Sequence, residues 1–547
     1  IGMYIRKVHI ENFKKFKGAF DLELNSDLNI IVGDNEAGKS TIIEAIFLAL
    51  TGIFRNRYIR NDLSSYIFNK DVVDEYLTNV NAGHKANLPK VLIELFFDGE
   101  DAPPIFRGLH NSESSDSSGV SLAIEFDERF KEEYEVLIRG KEVQSLPIEY
   151  YEVKWYGFNW DNATSRLIPL KVALIDSDNG KLPNGSDIYI SRIIKDNLDT
   201  DDVVKITQAF RGLQDDFSGN QSVKDINDGI KGSSGITNKE IGISVDMSSR
   251  NAWESFLMTY LDNIPFTYIG KGEQAIIKTN LALGNKKASN AGVILMEEPE
   301  NHLSHTKMNE LISYIKHHCE DKDKQLIIST HSSFVANKLG LSRLILLNGT
   351  NTLRLSELKK DTEAYFESLP GYNTLRLILC KKAILVEGPS DELVVQRAYL
   401  DKNGKLPIED GVDVISAYNL SFLRFLEIAD KLKLAACVVT DNDGNVNALK
   451  DKYKDYLHSD HIRICYDETV NSSSIEIDDK AYNCNTLEPN LLNANSLDEI
   501  CKVIGKEFNT NEDLLNYMKG HKTDCALAIF KSKEKINYPQ YILDAIQ

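Results

Sequence analysis

Residues 33–40 read Gly-Asp-Asn-Glu-Ala-Gly-Lys-Ser, and Thr41 follows. The stretch lies between a short apolar run, Leu28 to Val32, and a segment of helical spacing, STIIEAIFLALTG, that stops at Gly52. Strand, glycine-containing loop and helix start, in that order, leave few folds open. The loop must turn its N–H groups inward to cradle phosphate at a helix N-terminus, and the strand must lie inside an α/β sheet. Gly33, Asn35 and Gly38 shape such a loop. Lys39 is placed to reach the β- and γ-phosphates, with Ser40 and Thr41 behind it and the Ser40 hydroxyl available to ligate Mg²⁺. The pattern predicts ATP and Mg²⁺ as cofactors.

Two later stretches extend this nucleotide site. In VILMEEPENHLSH, from residue 293, four apolar residues end in Glu297 and Glu298 at the lip of a strand. Glu297 suits the Mg²⁺ shell, through water, and Glu298 suits polarising an attacking water. A strand merely capped by solvated acids would read the same, and the phosphate loop in the same chain favours the functional reading. QLIISTHSS then puts His331 just past another apolar strand, positioned to sense a γ-phosphate.

The last third carries a second, acidic pattern. AILVEGPSDE, from residue 383, is an apolar strand running into a turn with Glu387 and Asp391. AACVVTDNDG ends in Asp441 and Asp443, and TLEPNLL adds Glu488. In a parallel sheet the C-terminal strand ends share one edge, so these carboxylates can meet. Like charges that close repel unless divalent cations neutralise them, and oxygen donors without His or Cys favour hard ions, Mg²⁺ or Mn²⁺. Two such ions activate a water and stabilise the leaving oxygen of a phosphodiester. Lys522, in GHKTDCALAIF, is a cation available for the extra charge of the transition state. Each piece has a plain reading too, DxDG as a solvated turn and Lys522 as a surface lysine. Their shared order on strand ends favours the metal site.

A chain of 547 residues is too long for one core. Its 42% hydrophobic and 27% charged residues are those of a globular protein. No apolar run is long enough to cross a bilayer and no basic-then-apolar leader opens it, Ile1 and Gly2 standing before Met3. Seven Cys without a CxxC pair argue against a disulfide framework and zinc, and for a reduced cytoplasm. The net charge of −19 opposes polyanion binding. A nucleic-acid partner would need bridging metal ions or a local basic surface, such as IRKVHIENFKKFKG or KSKEKINY.

Strands alternate with helices in both halves, which predicts an α/β fold with parallel sheets. The expected organisation is an ATPase domain over 3–370 with a helical insertion at 186–245, then a second domain over 379–547. Charged, turn-rich sequence from 351 to 378 is the expected boundary. Two amphipathic helices are expected within 186–217, followed by a mobile Gly/Ser/Asn/Asp-rich piece to about 241. HNSESSDSSG, at 110–119, reads as a solvated loop.

The opening IRKVHIENFKKF, the long gap between phosphate loop and EEPE, and the strand before His331 resemble ABC-type ATPases of the SMC and DNA-repair class. In that family a signature loop from a second subunit completes the ATP site. The matching stretch here is YIGKGEQAIIKTNLAL, with Gly270 in place of the usual serine, Lys271 in place of the first glycine of the pair, and Gly272 retained. VEGPSDE followed by VVTDNDG resembles a Toprim domain, and an ABC-type ATPase fused to a C-terminal Toprim is similar to the OLD (overcoming lysogenisation defect) family, class 2 type, which includes the Gabija nuclease and retron-associated effectors. SAYNLS, at 416–421, lacks the glycines often found there. The resemblance implies a Mg²⁺- or Mn²⁺-dependent DNA endonuclease of bacterial antiphage defence. It implies Glu387, Asp391, Asp441, Asp443 and Glu488 as metal ligands, and a homodimer or tetramer formed through the ATPase domain and its insertion. It also implies an operon partner such as a helicase or a reverse transcriptase with its RNA. A topoisomerase would need a domain presenting a nucleophilic tyrosine, and none is recognisable. The other rival is a DNA-bound ATPase clamp or scaffold with a vestigial Toprim site.

Overall fold

The computed structural model describes residues 2–34, 36–55, 57–84, 86–99, 106–140, 142–176, 198, 200–231, 243–244, 253, 258–284, 292–301, 303–319, 324–332, 335, 339, 343–368, 372–417, 421–472, 475–477 and 480–547. It divides into two compact units, one of Ile1–Leu28 with Ser40–Ser329, the other of Asn29–Lys39 with Thr330–Gln547.

In the first unit, alternation of apolar and polar residues over 4–11 and 19–23 produces an antiparallel sheet. Its neighbours, in order, are Ala19–Glu23, Tyr4–Glu11, Val91–Asp98 and Ser117–Phe126, with Arg107–Gly108 and Tyr151–Gly157 both pairing with Ser117–Phe126. Val8, Ile10, Ile93, Leu95, Leu122 and Ile124 are fully buried. The opposite face buries charge instead. Lys7 Nζ lies 2.9 Å from Asp21 and 3.0 Å from Glu113. His9 sits between Asp21 (2.8 Å from Nδ1) and Glu11 (3.0 Å from Nε2). The tract at 110–119 is therefore not simply a solvated loop. Glu113 completes that ion network, Ser112 N–H donates to Glu94 Oε2 at 2.8 Å, and the last residues enter the strand Ser117–Phe126.

Val172–Asp176, Val293–Glu297 and Gln325–Thr330 pair in parallel, as the strand–helix alternation predicts. Buried Gln325 joins them to the antiparallel sheet: its side chain accepts Ile5 N–H at 2.9 Å and donates to Ile5 O at 2.8 Å. Of the two helices expected within 186–217, the first lies outside the described residues and the second is Thr200–Gly219. A further helix, Gln221–Lys231, occupies sequence that composition assigned to a mobile piece.

The second unit begins with the phosphate-loop strand. Leu28–Gly33 pairs in parallel with Leu344–Asn348, which pairs with Asn351–Arg354 as a hairpin. The stretch expected as a boundary is thus filled by that strand and by helices Lys360–Ser368 and Tyr372–Leu379. The charges that made it read as a linker are structural: Arg376 holds Asp413 at 2.6 and 2.8 Å. Buried Glu427, on the helix Phe422–Leu432, accepts Lys359 N–H (2.8 Å) and the Thr362 hydroxyl (2.7 Å). Beyond it stands a four-stranded parallel sheet in the order Val412–Ser416, Lys382–Val386, Ala435–Val439, Ile462–Cys465. Ile384, Val386, Val394, Val414, Cys437 and Ile542 belong to its core. Cys380, Cys437, Cys465, Cys484, Cys501 and Cys525 are free thiols, and Cys437, Cys465 and Cys525 lie in this sheet's core or its satellite cluster.

Candidate active site: carboxylates at the edge of the C-terminal sheet

Gly33 abuts the neighbouring strand, where a Cβ would fall 2.5 Å from Leu347 O, and Gly38 has the left-handed φ of 102°. Lys39 opens the helix Lys39–Thr51, and its buried Nζ donates to Gly33 O (2.8 Å) and Asp34 O (2.9 Å). Ser40 is exposed and Thr41 buried. Asn35 lies outside the described residues. In the other unit Glu297 ends the strand Val293–Glu297. Glu298 has a left-handed φ of 43°, donates its N–H to Ser329 O at 2.9 Å and accepts Asn301 Nδ2 at 2.9 Å. His331 follows Gln325–Thr330 directly. In the signature-like stretch, the helix Lys271–Gly284 starts just after Gly270, with Gly272 in its first turn. Gln274 is occupied structurally, donating to Phe266 O (2.9 Å) and Ile269 O (2.7 Å). Phosphate-loop residues Gly33 to Lys39 and the pair Glu297–Glu298 fall in different units.

All six residues of the acidic pattern meet inside the second unit. Glu387 follows Lys382–Val386 and accepts the Thr440 hydroxyl (2.6 Å) and Asp441 N–H (3.0 Å), clipping two strand ends together. Asp391 lies in the first turn of Pro389–Asn403, where the proline fits the first helical position and Asp391 Oδ2 accepts Gly388 N–H at 3.1 Å. Asp441 leaves the end of Ala435–Val439. Asp443 holds a left-handed φ of 47° and accepts Asn483 Nδ2 at 3.0 Å. Glu488, buried in the first turn of Leu487–Ala494, lies 3.1 and 3.3 Å from Nζ of Lys522, the first residue of Lys522–Lys531.

Their electrostatics make one system. Burial, then Glu387 and Glu488, push Asp391 up to about 7. Burial, then Glu387, Asp391, Glu488 and Asp443, push Asp441 up to about 9. Burial disfavours the Lys522 charge, but Glu488, with Asp391 and Asp441 behind it, raises its pKa on balance. Two carboxyls whose ionisation is disfavoured by burial and then by their neighbours are an oxygen-only donor set short of positive charge, which a hard divalent cation suits. Among the described residues, no three His, Cys, Asp or Glu form a ready-made metal shell. Glu387, Asp391 and Glu488 each accept from a protein donor instead. A cavity of about 190 Å³ opens beside Asp441 and Asp443, walled by Asn445, Leu449, Lys452 and Tyr453.

Three polar residues missed by sequence reasoning build this edge. Thr440 orients Glu387, and Asn483 holds Asp443. Asn442 is buried and donates to Asp467 O (2.7 Å) and Thr469 O (2.9 Å), which ties the loop after Ile462–Cys465 to the edge. The available signal was their position: two flank aspartates of the DxD stretch, and the third opens NCNT just before Glu488. Of SAYNLS, residues 418–420 lie outside the described set.

Three family models match the chain. An AAA domain matches residues 7–153 and an AAA ATPase domain residues 186–336. The "Overcoming lysogenization defect protein-like, TOPRIM domain" model matches residues 378–443, the span that holds Glu387, Asp391, Asp441 and Asp443. Among curated relatives, the DNA replication and repair protein RecF of Clostridium kluyveri is 28% identical over 124 residues, 23% of this chain and 32% of that protein. RecF of Gloeobacter violaceus is 46% identical over 50 residues, 9% of this chain and 13% of that protein. The chain thus spans a third or less of the length of these relatives. Among solved structures, an Smc head domain of Pyrococcus furiosus bound to the C-terminal domain of ScpA covers 66% of this chain and 99% of its own, with TM-score 0.34 and 13% identity. The C-terminal region of the Burkholderia pseudomallei OLD protein covers 31% of this chain and 96% of its own, with TM-score 0.24 and 18% identity. AAA ATPase models ahead of an OLD-like Toprim model give this chain an ATPase–Toprim architecture similar to that of the overcoming lysogenization defect (OLD) proteins.

Proposed function

We propose that the protein is an ATP-regulated, Mg²⁺- or Mn²⁺-dependent DNA endonuclease of the class 2 OLD kind, serving bacterial antiphage defence beside an operon partner such as a helicase or a reverse transcriptase with its RNA. The carrying observation is the convergence of five carboxylates and Lys522 on one sheet edge, with Asp391 and Asp441 pushed up to about 7 and 9 by mutual proximity and burial. Glu387, Asp391, Asp441, Asp443 and Glu488 would hold the metal ions. Bound there, the ions would supply an activated water and stabilise the leaving oxygen.

The chain's own groups do the rest. Thr440 and the Asp441 N–H fix Glu387, and Asn483 fixes Asp443. Lys522 brings its ammonium from Glu488 to a non-bridging phosphate oxygen as charge builds there. In the ATPase part, Lys39 would bind phosphate oxygens in place of the Gly33 and Asp34 carbonyls. The roles proposed for the rest are Mg²⁺ ligation for Ser40 and, through water, Glu297, polarising the attacking water for Glu298 and sensing the γ-phosphate for His331, and Gly270 with Gly272 would come from a second copy of the chain. Exposed Val204, Leu213, Phe217 and Ile226 on the insertion helices support self-association as a homodimer or tetramer. RecF's role in DNA replication and repair supports a DNA partner.

Incubation of plasmid with the protein, Mg²⁺ or Mn²⁺ and varied ATP tests the reading. Wild type should cleave, Asp441→Ala should not, and Lys39→Ala should cleave with altered ATP dependence. Equal cleavage by wild type and Asp441→Ala refutes the site. A second reading, a DNA-bound ATPase scaffold with a vestigial Toprim, is favoured by the Glu488–Lys522 pair standing where a ligand is needed. Calorimetric Mn²⁺ binding that Glu387→Ala leaves unchanged would select it.

A further inference from the structure

The acidic chain carries one compact stretch of opposite character. After Gly52 stops the phosphate-loop helix, residues 53–61 contain Arg55, Arg57 and Arg60 and no acid. Ile53–Phe54 and Arg57–Tyr58 pair as a small hairpin, and Ile59 N–H returns to Gly52 O at 2.9 Å, so the hairpin is fixed to the end of that helix. All three arginines are exposed, Tyr58 is 59% exposed and Tyr66, on the following turn, 88%. Arg55 lies on the outer face of Phe54, 5.6 Å from the ring centroid, and is held in a left-handed φ of 47°.

The hairpin does not stand alone. Phe54 packs edge-on against Phe13 at 6.2 Å, and Lys14 Nζ lies 5.8 Å from the Phe54 centroid. Lys14 N–H in turn donates to Ile67 O at 2.9 Å, which brings the Tyr66 turn to the same place. The basic NFKKFK turn and the arginine hairpin thereby form one surface. Among its acids, Asp62 lies 2.8 Å from Arg57, Glu44 and Glu75 pair with Lys14 and Lys17, and Asp71 also acts on Lys17. Positive charge remains in excess on a molecule whose net charge is −19. Protein surfaces usually hide tyrosine rings or use them, and two exposed rings interleaved with guanidinium groups are the chemistry that stacks unpaired bases and neutralises their phosphates.

We infer that the paired strands Ile53–Phe54 and Arg57–Tyr58 with the 64–69 turn are a binding surface for single-stranded nucleic acid, placed just beyond the end of the phosphate-loop helix. It is distinct from the carboxylate edge, and it does not depend on cleavage there. The hairpin directly follows the helix that Lys39 opens, and Ile59 N–H donates to Gly52 O, the residue that stops that helix.

The test is fluorescence anisotropy of a labelled single-stranded 20-mer (~20 nucleotides, above the ~4–16 nucleotide sites of single-strand binders) on the full chain carrying Asp441→Ala to suppress cleavage, repeated at several salt concentrations. The triple variant Arg55→Ala/Arg57→Ala/Arg60→Ala should bind more weakly and lower the log–log salt slope by about 2, at about 0.7 per phosphate contact. Tyr58→Ala and Tyr66→Ala should each weaken binding by roughly 5- to 100-fold with the slope unchanged. Arg57→Lys should keep the slope, which separates lost charge from lost structure. Duplex of the same sequence should compete poorly. Unchanged affinity and slope in the triple variant overturn the inference, as does duplex competing as well as single strand. A triple variant that binds oligonucleotide normally but sediments as a different oligomer overturns it too, and makes the patch a contact between copies. Plasmid cleavage by the protein without Asp441→Ala is scored separately, so failure of this surface and failure of the nuclease reading are distinguishable.

Discussion

Arg397 offers the sharpest test of how the carboxylate edge is held. It lies in the middle of Pro389–Asn403, 6% exposed, and its guanidinium is fully engaged. Nε donates to Asp401 Oδ1 at 2.9 Å, Nη1 to Ile529 O (3.1 Å), Phe530 O (3.0 Å) and Ser532 O, and Nη2 to Glu534 O (3.3 Å). The carbonyls of Ile529 and Phe530 belong to the last turn of Lys522–Lys531, whose C-terminal orphan groups favour a buried cation. One arginine therefore joins the helix opened by Pro389, near Asp391, to the helix opened by Lys522. Removing one partner of a buried charged network costs about 3–5 kcal/mol. At tenfold per ~1.4 kcal/mol, Arg397→Ala should speed opening of 522–531 by about a hundred- to several-thousand-fold. Hydrogen exchange of peptides across 522–531 reads this directly, with peptides across Leu344–Asn348 as the internal control. Arg397→Lys keeps the charge but loses the fork, and should fall between. Cleavage should fall with the exchange, since Lys522 heads the loosened helix. If Arg397→Ala exchanges across 522–531 like wild type, the guanidinium is not what fixes that helix.

Other outcomes follow from single contacts. Gly33→Ala would place a Cβ 2.5 Å from Leu347 O and 2.9 Å from Ala37 Cβ, so loop or strand must shift and binding of a fluorescent ATP analogue should be largely lost. In EDTA at neutral pH, Asp441, pushed up to about 9, stays protonated in the fold and ionises on unfolding, so Asp441→Asn removes that penalty and should raise the thermal midpoint of the C-terminal part while abolishing cleavage; a lowered midpoint would contradict the raised pKa. For His9, burial lowers the pKa but the hydrogen bonds to Asp21 and Glu11 outweigh it, leaving it above the ordinary 6.5. That contribution to stability is complete below the ordinary value and disappears as pH climbs through the raised one. Wild type should therefore lose thermal stability on passing from mildly acidic to alkaline pH, and His9→Gln should show a flatter profile over the same range.

Much of this was legible because the chemistry depends on short local patterns. Apolar runs that break at Gly33, Glu297, Thr330 and Glu387 mark strand ends, and parallel sheets put functional side chains at such ends. What the sequence hid was pairing across distance. Nothing around Glu113 says that it neutralises Lys7, so its tract reads as loop; nothing around Glu427 says that it will accept from Lys359 and Thr362, so that stretch reads as a linker. Charged residues look solvated until their partners are known. Gln221–Lys231 was missed for a different reason, since its Asn, Asp and Gly content lowers helix propensity while its few apolar residues recur at helical spacing. Thr440, Asn442 and Asn483 were missed because a polar side chain that only positions a neighbour has no pattern of its own.

The strand that ends in the phosphate loop belongs to the same compact unit as the carboxylate sheet. Gly33 lies against Leu347, the strand Leu344–Asn348 ends in Asn348, and Asn348 Nδ2 donates to Leu432 O at 2.9 Å, the last residue of Phe422–Leu432. That helix packs on the sheet whose edge holds the acids. The floor of the nucleotide loop and the frame of the carboxylate edge therefore share one continuous run of contacts, Gly33 to Leu347 and Asn348 to Leu432, inside a single compact unit.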